Sequence, residues 1–322
     1  MLLTIFRTIK RLPAARRAKR DTKIITSLLG VDTINLVDLG AAGGVEPRWK
    51  KISSALNYTG LEPDERVQEI LPSASFSKYE LLPFAAGELE GSQNLYITKD
   101  GGKSSTFLPN QEFLERFPDS GRFEVIDKTY LQTKLIDNII FSNIDFIKLD
   151  IQGSELSALR GATNKLGEVL GIEVEVEFSK LYIDQPLFGT VHEFLSEHDF
   201  EFYDFINLAR WERQSLKGIG QLVFGDALYL KSPESILQRN LSDFTIRKYL
   251  AILFIYNRFD LIEIVFLQKS NLRIEVKHFY RYQKRKAILF YFIHKVNRVI
   301  TCLLYTSPSP RDRTRSRMPS SA

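Results

Sequence analysis

Ile34-Asn35-Leu36-Val37-Asp38-Leu39-Gly40-Ala41-Ala42-Gly43-Gly44 is the stretch whose reading decides the fold. It begins as a short apolar run and ends in a turn of glycine and alanine. Pro47-Arg48-Trp49-Lys50 follows, where a helix can begin. A strand, a small-residue turn and a helix form a device that holds the polar part of a nucleotide-like ligand. Glycine admits backbone angles and close approaches that a side chain blocks, and the first N–H groups of a helix are free to donate. The next apolar run, Tyr58-Thr59-Gly60-Leu61, leads into Glu62, twenty-two positions after Gly40. An acid about 20 residues beyond such a turn, at the tip of the second strand, is placed to grip a ribose diol.

Asp38-x-Gly40-x-x-x-Gly44 is not the G-x-G-x-x-G of a dinucleotide site. A second strong signal is Ile144-Asp145-Phe146-Ile147-Lys148-Leu149-Asp150-Ile151-Gln152-Gly153-Ser154-Glu155, continuing to Gly161-Ala162. A buried parallel strand reads as an apolar run, and this one carries Lys148 and Asp150 at its carboxyl end, where ligands of open α/β sheets bind. Ser154 is placed to cap a helix running to Arg160, and Gly161 to end it. Gly171–Phe178 alternates, so Glu173, Glu175 and Glu177 share one face and Ile172, Val174 and Val176 the other. Three carboxylates on one face repel unless some meet cations or solvent. Glu177, nearest the carboxyl end, is expected beside a ligand, and the other two on a solvated edge.

Around these signals the pattern predicts strands at 35–39, 58–61, 76–84, 94–98, 123–129, 200–205 and 226–230. Helices are expected at 48–56, from Pro63-Asp64-Glu65-Arg66 onward, at 135–140 and at 191–197. Lys99–Thr106 is a polar Gly/Ser loop, either a plain connection or part of a pocket wall. From Ser232 the period becomes helical, near 236–244, 246–256, 261–268 and 276–300. The implied organisation is a basic extension (1–30), an α/β domain (31–231), a helical appendage (232–301) and a tail.

Size and composition bound the function. The 322 residues, 44% hydrophobic and 12% aromatic, are ample for a packed core. The net charge of +5 hides an asymmetry: residues 1–23 carry +7, residues 24–232 carry −13 and residues 233–301 carry +8. An acidic body argues against a nucleic-acid substrate, whose enzymes are usually basic around the site. Residues 302–322 resemble the translation of a sequencing adapter, so they are set aside and the natural C-terminus is expected to be missing. The one cysteine, Cys302, falls there, which removes disulfide, thiolate-metal and cysteine-nucleophile chemistry from the remainder. The four histidines lack close ligand spacing, so no metal is expected. No apolar run reaches the length of a membrane span. The apolar Met1–Phe6 precedes the basic residues, the wrong order for a signal peptide, so the cytoplasm is expected. The basic N-terminal helix reads as a solvated extension or as a weak hold on anionic lipid.

The combination Asp38-Leu39-Gly40-Ala41-Ala42-Gly43-Gly44 with Pro47-Arg48-Trp49, Gly60-Leu61-Glu62-Pro63-Asp64, and Asp145 to Glu155 with Gly161-Ala162 resembles the FkbM-type S-adenosylmethionine (SAM)-dependent methyltransferases. Glu175-Val176-Glu177-Phe178 and Gln185-Pro186-Leu187-Phe188 fit the same pattern, which covers about residues 33–230. Ala42 stands where the family usually has Asn, leaving contacts there to backbone N–H groups. The resemblance implies a Rossmann-like class I fold, with a mostly parallel seven-stranded sheet and helices on both faces. It also implies SAM as cofactor and methyl transfer to a hydroxyl, often on a sugar, glycolipid or secondary metabolite. The implied cofactor-binding residues are Asp38, Gly40, Ala41, Gly43, Gly44, Glu62, Pro63 and Asp150. Asp38 would steady the turn or the methionine amine, Gly40 and Gly44 would allow close approach, and Glu62 would accept from the ribose hydroxyls. Asp150 and Glu155 are the catalytic candidates, Asp150 as base or amine ligand and Glu155 as base or pocket wall. Plainer roles stay open: Lys148 and Asp150 pairing with each other and Glu155 as a first-turn acid, while His192 is an alternative base or, as a lone histidine on a helix, a structural residue. A NAD-type oxidoreductase and a non-catalytic SAM-binding or assembly module remain as alternatives.

Overall fold

The computed structural model describes residues 14–63, 76–140, 142–214 and 218–269. The helix expected from Asp64, that at 276–300, residues 1–13 of the basic extension and the adapter-like tail lie outside these residues. Seven strands make the main sheet: β1 (Ile34–Leu39), β2 (Leu56–Leu61), β3 (Lys78–Leu82), β7 (Phe146–Leu149), β8 (Gly171–Glu177), β9 (Glu201–Trp211) and β10 (Gln221–Leu230). Their order is β3-β2-β1-β7-β8-β10-β9. The pairings from β3 to β8 are parallel, and those of β10 with β8 and β9 antiparallel. β1, β7 and β8 lie in the middle, which is why all three are almost wholly buried, β8 despite its three glutamates.

A second sheet joins β4 (Ala85–Ala86), β5 (Gly91–Thr98) and β6 (Val125–Lys134) in the order β4-β6-β5. The stretch expected as one strand at 76–84 is thus divided: Lys78–Leu82 extends the main sheet, and Ala85–Ala86 turns to pair with Thr133–Lys134.

One face of the main sheet packs Val37, Leu39, Ile147, Leu149, Val174 and Val176 against α5 (Glu155–Arg160) and α6 (Phe188–Glu197), through Leu156, Leu159, Val191 and Leu195. The other face receives α2 (Pro47–Lys50), whose Trp49 is fully buried 5.0 Å from Phe146. The helix expected at 48–56 stops at Lys50, because Trp49 and Ile52 both bury against the sheet and Leu56 already belongs to β2. A short 3-10 turn, Ser53–Ala55, bridges the gap. Two further one-turn helices, α3 (Gln111–Leu114) and α4 (Ile136–Ile139), sit in the connections.

After β10 come α7 (Pro233–Gln238), α8 (Asp243–Ile255) and α9 (Phe259–Gln268). Ser232 and Ser242 cap the first two, their hydroxyls accepting the Ser235 and Thr245 N–H groups at 3.1 and 3.2 Å. All three belong to the same compact unit as the sheet, which ends at Gln268. The basic helix α1 (Ala14–Leu29) packs its end against α8, burying Ile25, Leu28 and Leu29, so this part is not a solvated extension. Lys248 of α8 reaches the foot of β7, where its Nζ lies 2.7 Å from Asp145 Oδ2, and the Asn35 N–H donates to the same oxygen at 2.7 Å.

Candidate active site

The turn after β1 is shaped by its glycines. Gly40, Gly43 and Gly44 have φ of +81°, +88° and +75°, the left-handed region in which side chains are strained. Gly40 also lies so close to the end of β7 that a Cβ would stand 1.9 Å from the Asp150 carbonyl oxygen. The turn's N–H groups are largely spent within the chain: those of Gly40 and Ala41 donate to the Leu61 carbonyl, that of Ala42 to Glu62 Oε2 at 3.0 Å, and that of Gly44 to the Ala41 carbonyl. With α2 only four residues long, the turn positions carboxylates and does not act as an anion-binding helix terminus.

A cavity of about 340 Å³ opens over the carboxyl ends of β1, β2 and β7. Leu39, Gly40, Ala42, Glu62, Pro63 and Asp150 line it, together with Glu175 and Gln152. Leu61, Phe84, Ala85, Ala86 and Ile151 make an apolar wall, closed by Leu95 and Leu131 of the second sheet. The Gly/Ser loop supplies Gly101–Thr106 as a further wall, and hydrogen bonds fasten it there. The Ser105 hydroxyl donates to the Gln152 carbonyl at 2.6 Å, and the hydroxyls of Thr106 and Ser154 lie 2.6 Å apart. Ser154 therefore spends its hydroxyl on the loop and makes no side-chain cap on α5.

Among the residues expected at the site, Gly40, Glu62, Pro63 and Asp150 meet at this cavity, and Ala41, Gly43 and Gly44 build the turn behind it. Asp38 does not line it. Its carboxylate is buried against its neighbouring strands, where Tyr58 donates to Oδ2 at 2.9 Å and Lys148 Nζ stands 3.5 Å from Oδ1. Burial pushes Asp38 up to about 6, against the pull of Lys148 and the Tyr58 hydroxyl. Lys148 thus pairs with Asp38 and not with Asp150. Glu155 also stays off the cavity surface. It is buried, and its Oε1 accepts the N–H groups of Ile151 at 2.8 Å and Gly153 at 3.3 Å, tying the loop after β7 into shape. Burial raises it to about 7, and those backbone donors oppose the rise.

The acidic face of β8 is no solvated edge, since Glu173, Glu175 and Glu177 are all buried in a central strand. Glu173 accepts from Arg48 at 3.2 Å and from the Tyr256 hydroxyl at 2.5 Å, and burial lifts it to about 7. Glu175, not Glu177, lines the cavity. Gln152 ties it to Asp150: its Nε2 donates to Asp150 Oδ1 and to Glu175 Oε2, both at 2.9 Å. Sequence reasoning missed Gln152 altogether. Its one signal was the Gln-Gly pair after a strand, a place where left-handed backbone is common. His192 lies 3.3 Å from the Tyr229 hydroxyl and stacks on Phe188, within the aromatic packing beside α6.

A seven-stranded sheet of this order and polarity, with carboxylates at the tips of β2 and β7 around one cavity, is the architecture of a class I methyltransferase. The family model of the methyltransferase FkbM domain matches residues 38–202. The chain belongs to this family, whose cofactor is SAM. Comparison with curated proteins returns no match. Among solved structures, methyltransferase FkbM from Methylobacillus flagellatus KT is 19% identical, with 62% of this chain and 44% of that chain covered and a TM-score of 0.36. This chain thus spans less than half the length of that protein. A rRNA methylase from Streptococcus thermophilus is 12% identical, covering 64% and 93% of the two chains at a TM-score of 0.30. The N-methyltransferase NodS from Bradyrhizobium japonicum WM9 is 10% identical, covering 69% and 98% at 0.31.

Proposed function

We propose that this protein is a SAM-dependent O-methyltransferase that modifies a hydroxyl on a saccharide, glycolipid or secondary metabolite. The observation that carries this reading is the single cavity that joins Glu62 at the tip of β2 to Asp150 after β7. The donor chemistry of the lining suits the cofactor. Glu62, buried at the tip of β2, offers carboxylate oxygen to a diol. Leu61, Pro63, Phe84 and Ile151 offer an apolar slot to a base, and Asp150 offers negative charge to a cation.

When bound, SAM supplies an electrophilic methyl carbon. Glu62 would hold the ribose end, and the turn from Gly40 to Gly44 would set the distance between β1 and β7 that fixes Asp150 beside it. The Gly/Ser loop and the second sheet wall the cavity and would limit water beside a bound cofactor, and the acceptor oxygen must be held in line with the methyl group. Asp150 lies where it can receive a hydrogen bond from the acceptor or from the methionine amine. The acidic body supports a neutral hydroxyl acceptor over nucleic acid.

Incubation of the full chain with methyl-labelled SAM and a glycan and glycolipid extract tests the reading. Label in an alkali-stable ether supports it, and label only in nitrogen or nucleic acid overturns the O-methyl assignment. We also place the enzyme in the cytoplasm, where its basic start gives a weak hold on anionic membranes. Among the described residues no helix is long and apolar enough to cross a membrane. Flotation with phosphatidylglycerol vesicles, with and without Arg7, Lys10 and Arg11 changed to Glu, tests the hold; equal soluble recovery ends it.

A further inference from the structure

We propose that Glu175 is the proton acceptor of the transfer, that entry of the cationic cofactor empties it of its proton, and that Gln152 is the residue that positions it. This rests on the methyltransferase reading above.

The argument begins with placement. Leu149 pairs with Val174, so the next residues of the two parallel strands, Asp150 and Glu175, fall side by side. Glu62 sits at the tip of β2, three strand spacings away from β8 in the order β2-β1-β7-β8, about 14 Å across the sheet. A cofactor whose ribose is at Glu62 therefore runs toward Glu175, which stands at the acceptor end.

Two carboxylates side by side on neighbouring strands repel, and the fold answers with one amide. Gln152 Nε2 carries two hydrogens and directs one to each carboxylate, at 2.9 Å. The orientation of that amide is set from behind, since the Tyr182 hydroxyl lies 3.0 Å from Gln152 Oε1 and 3.0 Å from the Lys103 carbonyl. The backbone is bent to make the bridge: Gln152 has φ +55°, left-handed for a residue with a Cβ, followed by Gly153 at +101°. Strained non-glycine backbone persists where its surroundings demand it, and it concentrates at functional sites.

The charges around Glu175 decide when it ionises. Burial holds it well above the ordinary carboxylate range, and the neighbouring carboxyl groups of Asp150, Glu177 and Glu155 add to this, while Lys103 opposes it. Asp226 of β10 is its direct partner across the antiparallel pair, and burial raises that group too. Tyr182 stays protonated beside it. A positive charge entering the cavity favours the ionised form, so Glu175 releases its proton as the cofactor binds. In the transfer the acceptor oxygen bonds to the methyl carbon as the carbon–sulfur bond breaks. The electron pair of that bond stays on sulfur, which leaves uncharged, and the hydroxyl proton passes to the Glu175 carboxylate. The positive charge and the carboxylate charge thus disappear together, and the cavity returns to its starting protonation.

Calorimetry of the full-length protein in two buffers of different ionisation enthalpy counts the protons, with SAM and S-adenosylhomocysteine as probes. Wild type should release more protons on binding SAM than on binding S-adenosylhomocysteine. Glu175→Gln should lose that difference while binding S-adenosylhomocysteine within about threefold of wild type. Gln152→Ala removes a donor that favours the ionised carboxylate, so its release should move to higher pH, an effect that loss of packing alone does not produce. A Glu175→Gln protein that still releases the extra protons, or a Gln152→Ala protein whose release pH is unmoved, overturns the proposal. Wild type that binds neither probe overturns the methyltransferase reading instead.

Discussion

The α-carbon of Gly40 faces the Asp150 carbonyl oxygen at a separation that leaves no room for a methyl group, a Cβ there falling 1.9 Å from that oxygen. The contact is backbone against backbone, so no rotamer change relieves it. Gly40→Ala is expected to force β1 and β7 apart at the point where Asp150 is set, and its φ of +81° adds strain. A loss of about 2–4 kcal/mol is the expected scale for a clash of this kind joined to a backbone penalty. Urea unfolding measures it. A variant as stable as wild type would mean that the turn and the β7 end are not in register as described.

Glu62 makes a separable prediction. Its carboxylate accepts the Ala42 N–H and faces the cavity. S-adenosylhomocysteine at about 100 times its Kd adds roughly 2.7 kcal/mol to the folded state. Wild type should therefore show a raised melting temperature with this ligand, and Glu62→Ala, which starts lower because it gives up the Ala42 N–H contact, should lose most of the rise. NAD serves as the control. A shift with NAD and none with S-adenosylhomocysteine would falsify the cofactor assignment.

The buried carboxylates give the apoprotein a pH dependence of definite sign. Burial raises Asp38 to about 6 and Glu155 and Glu173 to about 7, above the usual value near 4. Between pH 4 and 7 the folded chain therefore holds protons that the unfolded chain has released. The stability these groups confer is fully present below pH 4 and is lost as pH rises through 6 to 7. The melting temperature of the apoprotein should fall by several degrees from pH 5.5 to 7.5. Glu173→Gln, which leaves Arg48 the carboxylate of Glu46 at 2.7 Å, should flatten that fall. A melting temperature that climbs across the same range would show that these groups are ionised in the fold.

What was legible in the sequence was local. A strand ending in Asp38-Leu39-Gly40 and another ending in Lys148-Leu149-Asp150 announce themselves because the period of two, the apolar run and the glycine turn lie within a dozen residues. The pairing of Lys148 with Asp38 was not legible, since it depends on β1 and β7 lying side by side in one register. Glu175 was hidden for the same reason. Alternation shows that three glutamates share a face, yet only the central position of β8 shows that the face is buried, and only the Gln152 bridge singles out one of them. Gly161 ends the helix as its sequence position suggests, yet not for the usual reason of a left-handed backbone. Its φ is −73°, and it is glycine because a Cβ would lie 2.0 Å from the Gly87 carbonyl oxygen. A close approach between segments more than seventy residues apart leaves no local signature.

Lys248 and Asp145 provide the last prediction, on how the helices after β10 are held. Both side chains are buried, 7% and 8% exposed, and they form an ion pair between α8 and the foot of β7. Burial raises Asp145, and Lys248 with the Asn35 N–H pulls it back. Removing one partner of such a pair leaves the other charge buried, a loss of about 3–5 kcal/mol, whereas replacing both with uncharged groups is often close to neutral. Lys248→Met should therefore destabilise strongly, and Lys248→Met with Asp145→Asn should recover most of the loss, the asparagine oxygen still accepting from Asn35. Urea unfolding of the two single variants and the double variant closes the cycle. If the losses of the single variants simply add, the two side chains are not coupled, and α8 is held to the sheet by its apolar face and by the Tyr249 hydroxyl on the Lys231 carbonyl.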